Sequence, residues 1–394
     1  MGKRIGIWIA AGFLLSALLS GFFGPGSLSA TADGKPVVAI LKAQKKELVA
    51  ETWRMNWERT FSQGVNKTRK IDYFRAEWSK ESEREIEALV RNAVEIAGGW
   101  PVKPGDVVLI KPNLVASIFF LLYHGKASED DFQACQTDPR IVRALAVMAK
   151  ESGAKRILIG EGPAAGDGWA GYMQGGYLAM VEDLAKEGVK VELLDFTDEP
   201  YTWVKSRGLA NPEYAVPKVA TEATCIISVP ALKTHSMTGV TASLKNVAVG
   251  LMSGRVYGFF KYGAPHQKIP EWITDVASIF KIDYTVVDGI WGMEGNGPLS
   301  GDPVEMDLII AGADPVAVDS VCTAIMGFNP KNIGHITMAA KHGLGVADLD
   351  QIVVKGESIA SVTMEFKVVP EENRWPSEHG GVKNWEERYK PSDK

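Results

Sequence analysis

Cysteine is scarce. The 394 residues hold three, Cys135, Cys225 and Cys322, with no CxxC spacing. That excludes a disulfide framework, a thiolate zinc site and a cysteine-ligated iron-sulfur cluster. At most one disulfide is possible, and buried thiols are the expectation. A surplus of positive charge is lacking too: 43 Lys plus Arg against 48 Asp plus Glu leave a formal charge of −5. This is the wrong sign for a basic nucleic-acid binder, so no nucleic-acid partner is expected. With 46% apolar and 23% charged residues, neither disorder nor collagen-like repetition fits, and the chain is long enough for one large core or two domains.

The first 32 residues read as an export signal. Lys3 and Arg4 precede an apolar run from Ile5 to Leu19, and Ala30-Thr31-Ala32 supplies an A-x-A cleavage pattern. No lipoprotein cysteine and no twin arginine accompany it, which points to a Sec-type signal. Uncleaved, the stretch to Phe23 is long enough to anchor the chain in a bilayer, the one membrane contact expected. In both cases the rest of the protein is exported, periplasmic or extracellular.

From Lys35 onward, short β-branched runs alternate with helical periodicity, the pattern of an α/β fold with a largely parallel or mixed sheet and helices on both faces. There is room for two α/β subdomains within 33–362. Expected strands are Val37–Leu41, Val107–Ile110, Arg156–Ile159, Val189–Leu194, Cys225–Val229, Tyr284–Val287, Leu308–Ala311 and Ile352–Val354. Several are apolar throughout, as strands covered on both faces must be. Ser82 and Glu85 read as a capping box for a helix ending at Gly98-Gly99. Asp138-Pro139 and Asp314-Pro315 each read as an N-cap followed by a first-turn proline.

Two segments leave this pattern. Residues 44–80 carry no strand signal and are expected as helix plus loop outside the sheet. Residues 363–394, rich in Pro, Gly and charge, read as a C-terminal arm in which Trp375 and Trp385 dock. No oligomeric state is assigned; these two segments are the ones free of the core pattern and able to meet another subunit.

In open α/β sheets, ligands bind beyond the carboxyl ends of the strands. Residues falling there are Lys111 and Asn113, Glu161, Lys233 and His235, and Asp288, followed by Glu294 and Asn296. The segment Leu232–Leu251 is densest, adding Thr241, Lys245 and Asn246. Lys111, Glu161, Lys233 and Asp288 are expected to line one cleft. Neither a phosphate loop of the GxxxxGK type nor GxGxxG occurs, so nucleotide hydrolysis and dinucleotide binding are unsupported.

Seven ordered blocks carry a resemblance: IKPNLV (Ile110–Val115), TDPRIVRAL (Thr137–Leu145), GAKRILIGEGP (Gly153–Pro163), VPALKTH (Val229–His235), VTASLKN (Val240–Asn246), VDGIWGMEGNGP (Val287–Pro298) and ADPVAVDSV (Ala313–Val321). Together they resemble domain-of-unknown-function family 362, over about residues 36–358. The resemblance implies a domain that many members join to a ferredoxin-like module with four-iron clusters. This chain departs from that pattern, since its scattered cysteines cannot ligate a cluster. More distantly, the lysine-histidine loop and following glycine-lysine segment are similar to the nickel-pincer lactate racemase family. That likeness implies proton or hydride exchange at a carbon beside a carboxylate.

Three functional readings follow. In the first, an exported enzyme acts on a small carboxylate- or phosphate-bearing molecule. Lys111, Lys233 and Lys245 attract its charge, His235 and Glu161 or Asp288 exchange protons, and Lys233 is a further catalytic group. Asn113, Thr241, Asn246, Glu294 and Asn296 orient the ligand. Clustering would lower the lysines' pKa values, making one a candidate base, and His235 is expected neutral at pH 7 and acting as a base. The second reading is a binding protein without chemistry. The third is a metal-dependent oxidoreductase or isomerase using Asp288, Glu294, His235 and His266, or His335 and His342; these spacings match no metal motif, so no metal ligand is assigned and no cofactor is named.

Overall fold

The computed structural model describes residues 30–50, 78–116, 125, 129–165 and 168–390. Most of the expected signal, and residues 51–77 of the expected insertion, lie outside the described residues.

Twelve strands are described: β1 Val37–Lys42, β2 Val107–Pro112, β3 Arg156–Glu161, β4 Glu192–Asp195, β5 Tyr201–Lys205, β6 Glu213–Pro217, β7 Cys225–Val229, β8 Ala231–His235, β9 Gly239–Thr241, β10 Tyr284–Glu294, β11 Asp302–Gly312 and β12 Val353–Gly356. Ten form one continuous sheet in the order β12-β1-β11-β10-β7-β2-β3-β4, with β8 added beside β10 and β9 beside β8. Pairing is mostly parallel. The exceptions in this sheet are β11, antiparallel to both β1 and β10, and the β8–β9 pair. Strands β5 and β6 form a separate hairpin.

Period-two alternation divides the strand residues between two cores. Ile110, Ile159, Ile227 and Val286 face the helices Lys80–Ala97, Pro139–Glu151 and Tyr177–Lys186. Leu109, Leu158, Ile226 and Val287 face Ser243–Gly250, Ile269–Ile279 and Pro315–Ile325. Both Asp-Pro starts cap their helices: Asp138 accepts from the Arg140 N–H, and Asp314 from those of Val316 and Ala317. All three cysteines are free and buried.

Several expectations are corrected. The first long helix is capped by Ser79, which accepts from the Ser82 N–H at 3.0 Å. Ser82 is instead buried and accepts from Arg140. Val189 does not begin a strand: Gly188 turns left-handed and the Val189 N–H closes the preceding helix on Leu184 O. Tyr284–Val287 is only the start of an eleven-residue strand that runs past Asp288-Gly289 with a bulge before Trp291. The residues after Val229 likewise form β8 rather than a loop. The arm is docked where described: Lys367 pairs with Glu294 at 2.8 Å, and the Trp375 N–H donates to Ser236 O at 2.9 Å.

Candidate functional site

Where β2 and β3 end, a polar network fills the interior. Lys111, fully buried, donates to Glu161 Oε1 at 2.7 Å, Pro112 O at 2.6 Å and Asn246 Oδ1 at 3.3 Å. Glu161 also accepts from the Gly162 N–H at 2.7 Å and the Leu114 N–H at 2.6 Å. Asn246 bridges to Asn113, Lys111 O and Ser228. Burial pulls the Lys111 ammonium down while Glu161 holds it up. Gly250 makes room for this lysine: a Cβ there would lie 2.4 Å from Lys111 Nζ.

Beside the network opens a cavity of about 200 Å³. Its wall is largely apolar, with Val249, Phe260, Trp272, Ile273 and Leu299 among the lining residues. The polar side chains on it are His235, Thr238, Lys245, Tyr262 and His266.

Lys245 is the unusual one. It is 7% exposed, lines the cavity, and has no hydrogen-bond or ion-pair partner among the described residues. It sits in the first turn of the helix Ser243–Gly250, where the positive end of the helix dipole disfavours an ammonium. Burial, and then the charge of Lys233, bring it from 10.5 to about 7. The helix start is held by Asp319, whose two oxygens accept from the Ser243 N–H at 2.6 Å and the Leu244 N–H at 3.0 Å. Burial raises the Asp319 carboxyl to about 8 against the pull of those donors.

The two histidines are set by what their Nδ1 atoms meet. His235 Nδ1 takes the Met237 N–H at 3.1 Å, which puts the neutral ring's proton on Nε2. His266 Nδ1 faces Ala264 O at 3.0 Å, a group that only accepts, so its proton is on Nδ1 and Nε2 keeps a lone pair. Burial, then Lys245 and Lys233, lower His235 well below 6.5; burial also lowers His266.

The other expected site residues stand apart from the cavity. Lys111 and Glu161 saturate each other, and Asn113 and Asn246 belong to their network. Lys233 is fully buried and donates to Cys135 O at 2.7 Å. Asp288 lies mid-strand, where Oδ2 accepts from the Asp138 N–H at 2.7 Å and Oδ1 from the Ile290 N–H at 3.1 Å; burial raises it to about 7. Thr241 is wholly buried in β9 opposite Lys233. Glu294 is taken by Lys367 of the arm, and Asn296 is not on the cavity wall, which that turn reaches through Pro298 and Leu299. Lys111, Glu161 and Asp288 come near enough to Lys233 to act on its charge, but none of these four lines the cavity, which is reached by Lys245 and His235. The base role expected of His235 is also corrected: its free nitrogen carries the proton.

The sequence marks His266 only as a candidate metal ligand and carries no signal for Tyr262 and Trp272, because tertiary packing alone brings them to the wall. Asp319 had one: its place within ADPVAVDSV, on a helix whose residues are all buried. Among the described residues no three His, Cys, Asp or Glu side chains converge as a metal-binding group.

The family model described as Domain of unknown function (DUF362) matches residues 108–324, more than half of the chain. The chain belongs to this family. In this chain the part matched by the DUF362 model holds Lys111, Glu161, Lys245, both cavity histidines and Asp319. The docked arm lies outside it. A relative from Synechocystis, the thylakoid-associated protein sll1697, is 30% identical over 263 residues, spanning 66% of this chain and 75% of the relative. Among solved structures, the lactate racemase apoprotein from Thermoanaerobacterium thermosaccharolyticum matches 61% of this chain and 55% of its own, at 13% identity and a TM-score of 0.36. A likeness of that degree carries no conclusion about this DUF362 chain.

Proposed function

We propose that the protein binds a small molecule with a carboxylate or carbonyl group on an apolar body, and performs acid-base chemistry on it with Lys245 as the base. The observation that carries this is Lys245 itself: a buried, cavity-lining amine without an acceptor among the described residues, brought by burial to about 7. A group poised near ambient pH has the right driving force to accept a proton and return it. His235 Nε2–H faces the task of hydrogen-bonding ligand oxygen, and His266 Nε2 that of accepting a proton. The apolar wall favours a carboxylate or carbonyl over a phosphate, which needs more donors than this lining offers. The export signal expected of the first 32 residues supports a site for this chemistry outside the cytoplasm.

Native mass spectrometry of the protein purified from its own host, beside its Lys245→Met variant, tests the reading. A small mass retained by the wild type and lost from the variant is expected. A mass retained equally by both, or none in any preparation, argues against it.

A further inference from the structure

We propose that Lys245 is an amine nucleophile that forms an imine with a small aldehyde or ketone carrying a ring-sized apolar body. The inference rests on the reading of this cavity as the binding site, and commits the lysine's lone pair to a carbonyl carbon.

Three observations lead there. Lys245 lines the cavity with no acceptor of its own among the described residues, so its lone pair is free to meet a ligand. A second lysine, Lys233, stands close enough to depress it, and the helix start adds a further positive potential. Desolvation beside another cation is the way a lysine is kept as a free amine at neutral pH. The size also fits: about 200 Å³ exceeds the roughly 150 Å³ apolar cavity that suffices for benzene. Phe260 and Trp272 supply flat apolar surface for such a ring.

The step balances without an oxidant or reductant. Lys245 Nζ attacks the carbonyl carbon, forming the C–N bond as the carbonyl π pair moves to oxygen, where His235 Nε2–H donates a hydrogen bond. His266 Nε2 takes a proton from nitrogen and delivers it to that oxygen, giving a neutral carbinolamine. A second transfer by the same route releases the oxygen as water as the C=N bond forms. Both hydrogens of the amine leave in the water.

Benzaldehyde with cyanoborohydride at pH 7, followed by peptide-resolved mass spectrometry, tests the inference. Lys245 should gain a benzyl group at least about tenfold faster than Lys281, whose side chain is 87% exposed and paired with Asp283. His235→Gln should slow the reaction, and Lys245→Met should leave no fast site. In parallel, benzaldehyde alone should shift the histidine ring signals of His235 and His266 in NMR spectra. Shifts without fast labelling of Lys245 overturn the imine but leave the binding site standing. Neither shifts nor labelling overturns both.

Discussion

His235 and His266 line the same cavity with their ring protons on opposite nitrogens. The Met237 N–H fixes one ring as an Nε2–H donor, and Ala264 O fixes the other as an Nε2 acceptor. Both are held below the ordinary imidazole value by burial, and Lys245 pushes each lower still. A neutral donor, a neutral acceptor and a free amine around one apolar space suit a reaction in which protons are passed without a net charge being stored.

The first prediction concerns these rings. Nitrogen-15 NMR should show the His235 proton on Nε2 and the His266 proton on Nδ1, and neither ring half-protonated at pH 6.5. A His235 proton on Nδ1 would restore it as a base and remove the donor role.

A second prediction uses Lys245. Its folded value near 7 lies below the unfolded 10.5, so between these values the unfolded chain binds more protons, and this group makes stability rise with pH. Below about 7 the burial penalty is complete. At about 1.4 kcal/mol per unit it amounts to several kcal/mol. Lys245→Met should therefore be more stable than wild type at pH 6, with the gap closing toward pH 10.5, as urea unfolding at the two ends would show. A gap independent of pH would mean an ordinary solvated ammonium.

Glu161 gives the opposite outcome. Glu161→Gln leaves Lys111 a buried charge without its counter-ion and turns an amide N–H toward the Leu114 or Gly162 N–H. Breaking a buried pair in this way costs about 3–5 kcal/mol. Thermal melting should show a large loss of stability, while affinity for a cavity ligand such as benzoate, measured below the melting range, should change less than about twofold. An intact melting temperature with lost affinity would return Glu161 to the site.

The contrast between these lysines shows what could be read from residue order. The β-branched runs located the strands, and the two Asp-Pro pairs located helix starts, because both depend on local backbone preferences. Lys111 and Lys245 are the same residue type in equally polar surroundings. Which one faces the cavity depends on Glu161 arriving from β3 and on Asp319 holding the helix start, contacts between segments far apart in the chain. Asp288 differs for the same reason: the β-branched run ends at Val287, yet pairing with β11 carries the strand on through Asp288 and Gly289.

The last prediction concerns pH and an anionic ligand. If the carboxylate of benzoate is held by protonated Lys245, affinity should be level below about 7 and weaken above it by up to about tenfold per pH unit as the ammonium is lost. The ligand's own charge would raise the lysine's value in the complex, so the fall should flatten again at higher pH. His235, already neutral, contributes no step there. Titrating benzoate affinity from pH 5 to 10 should give the same midpoint in wild type and His235→Gln, with weaker binding overall in the variant for want of the Nε2–H donor. Lys245→Met should show no step. A step that disappears with His235→Gln but survives Lys245→Met would move the titrating group from the helix start to the end of β8, and the acid-base assignment would move with it.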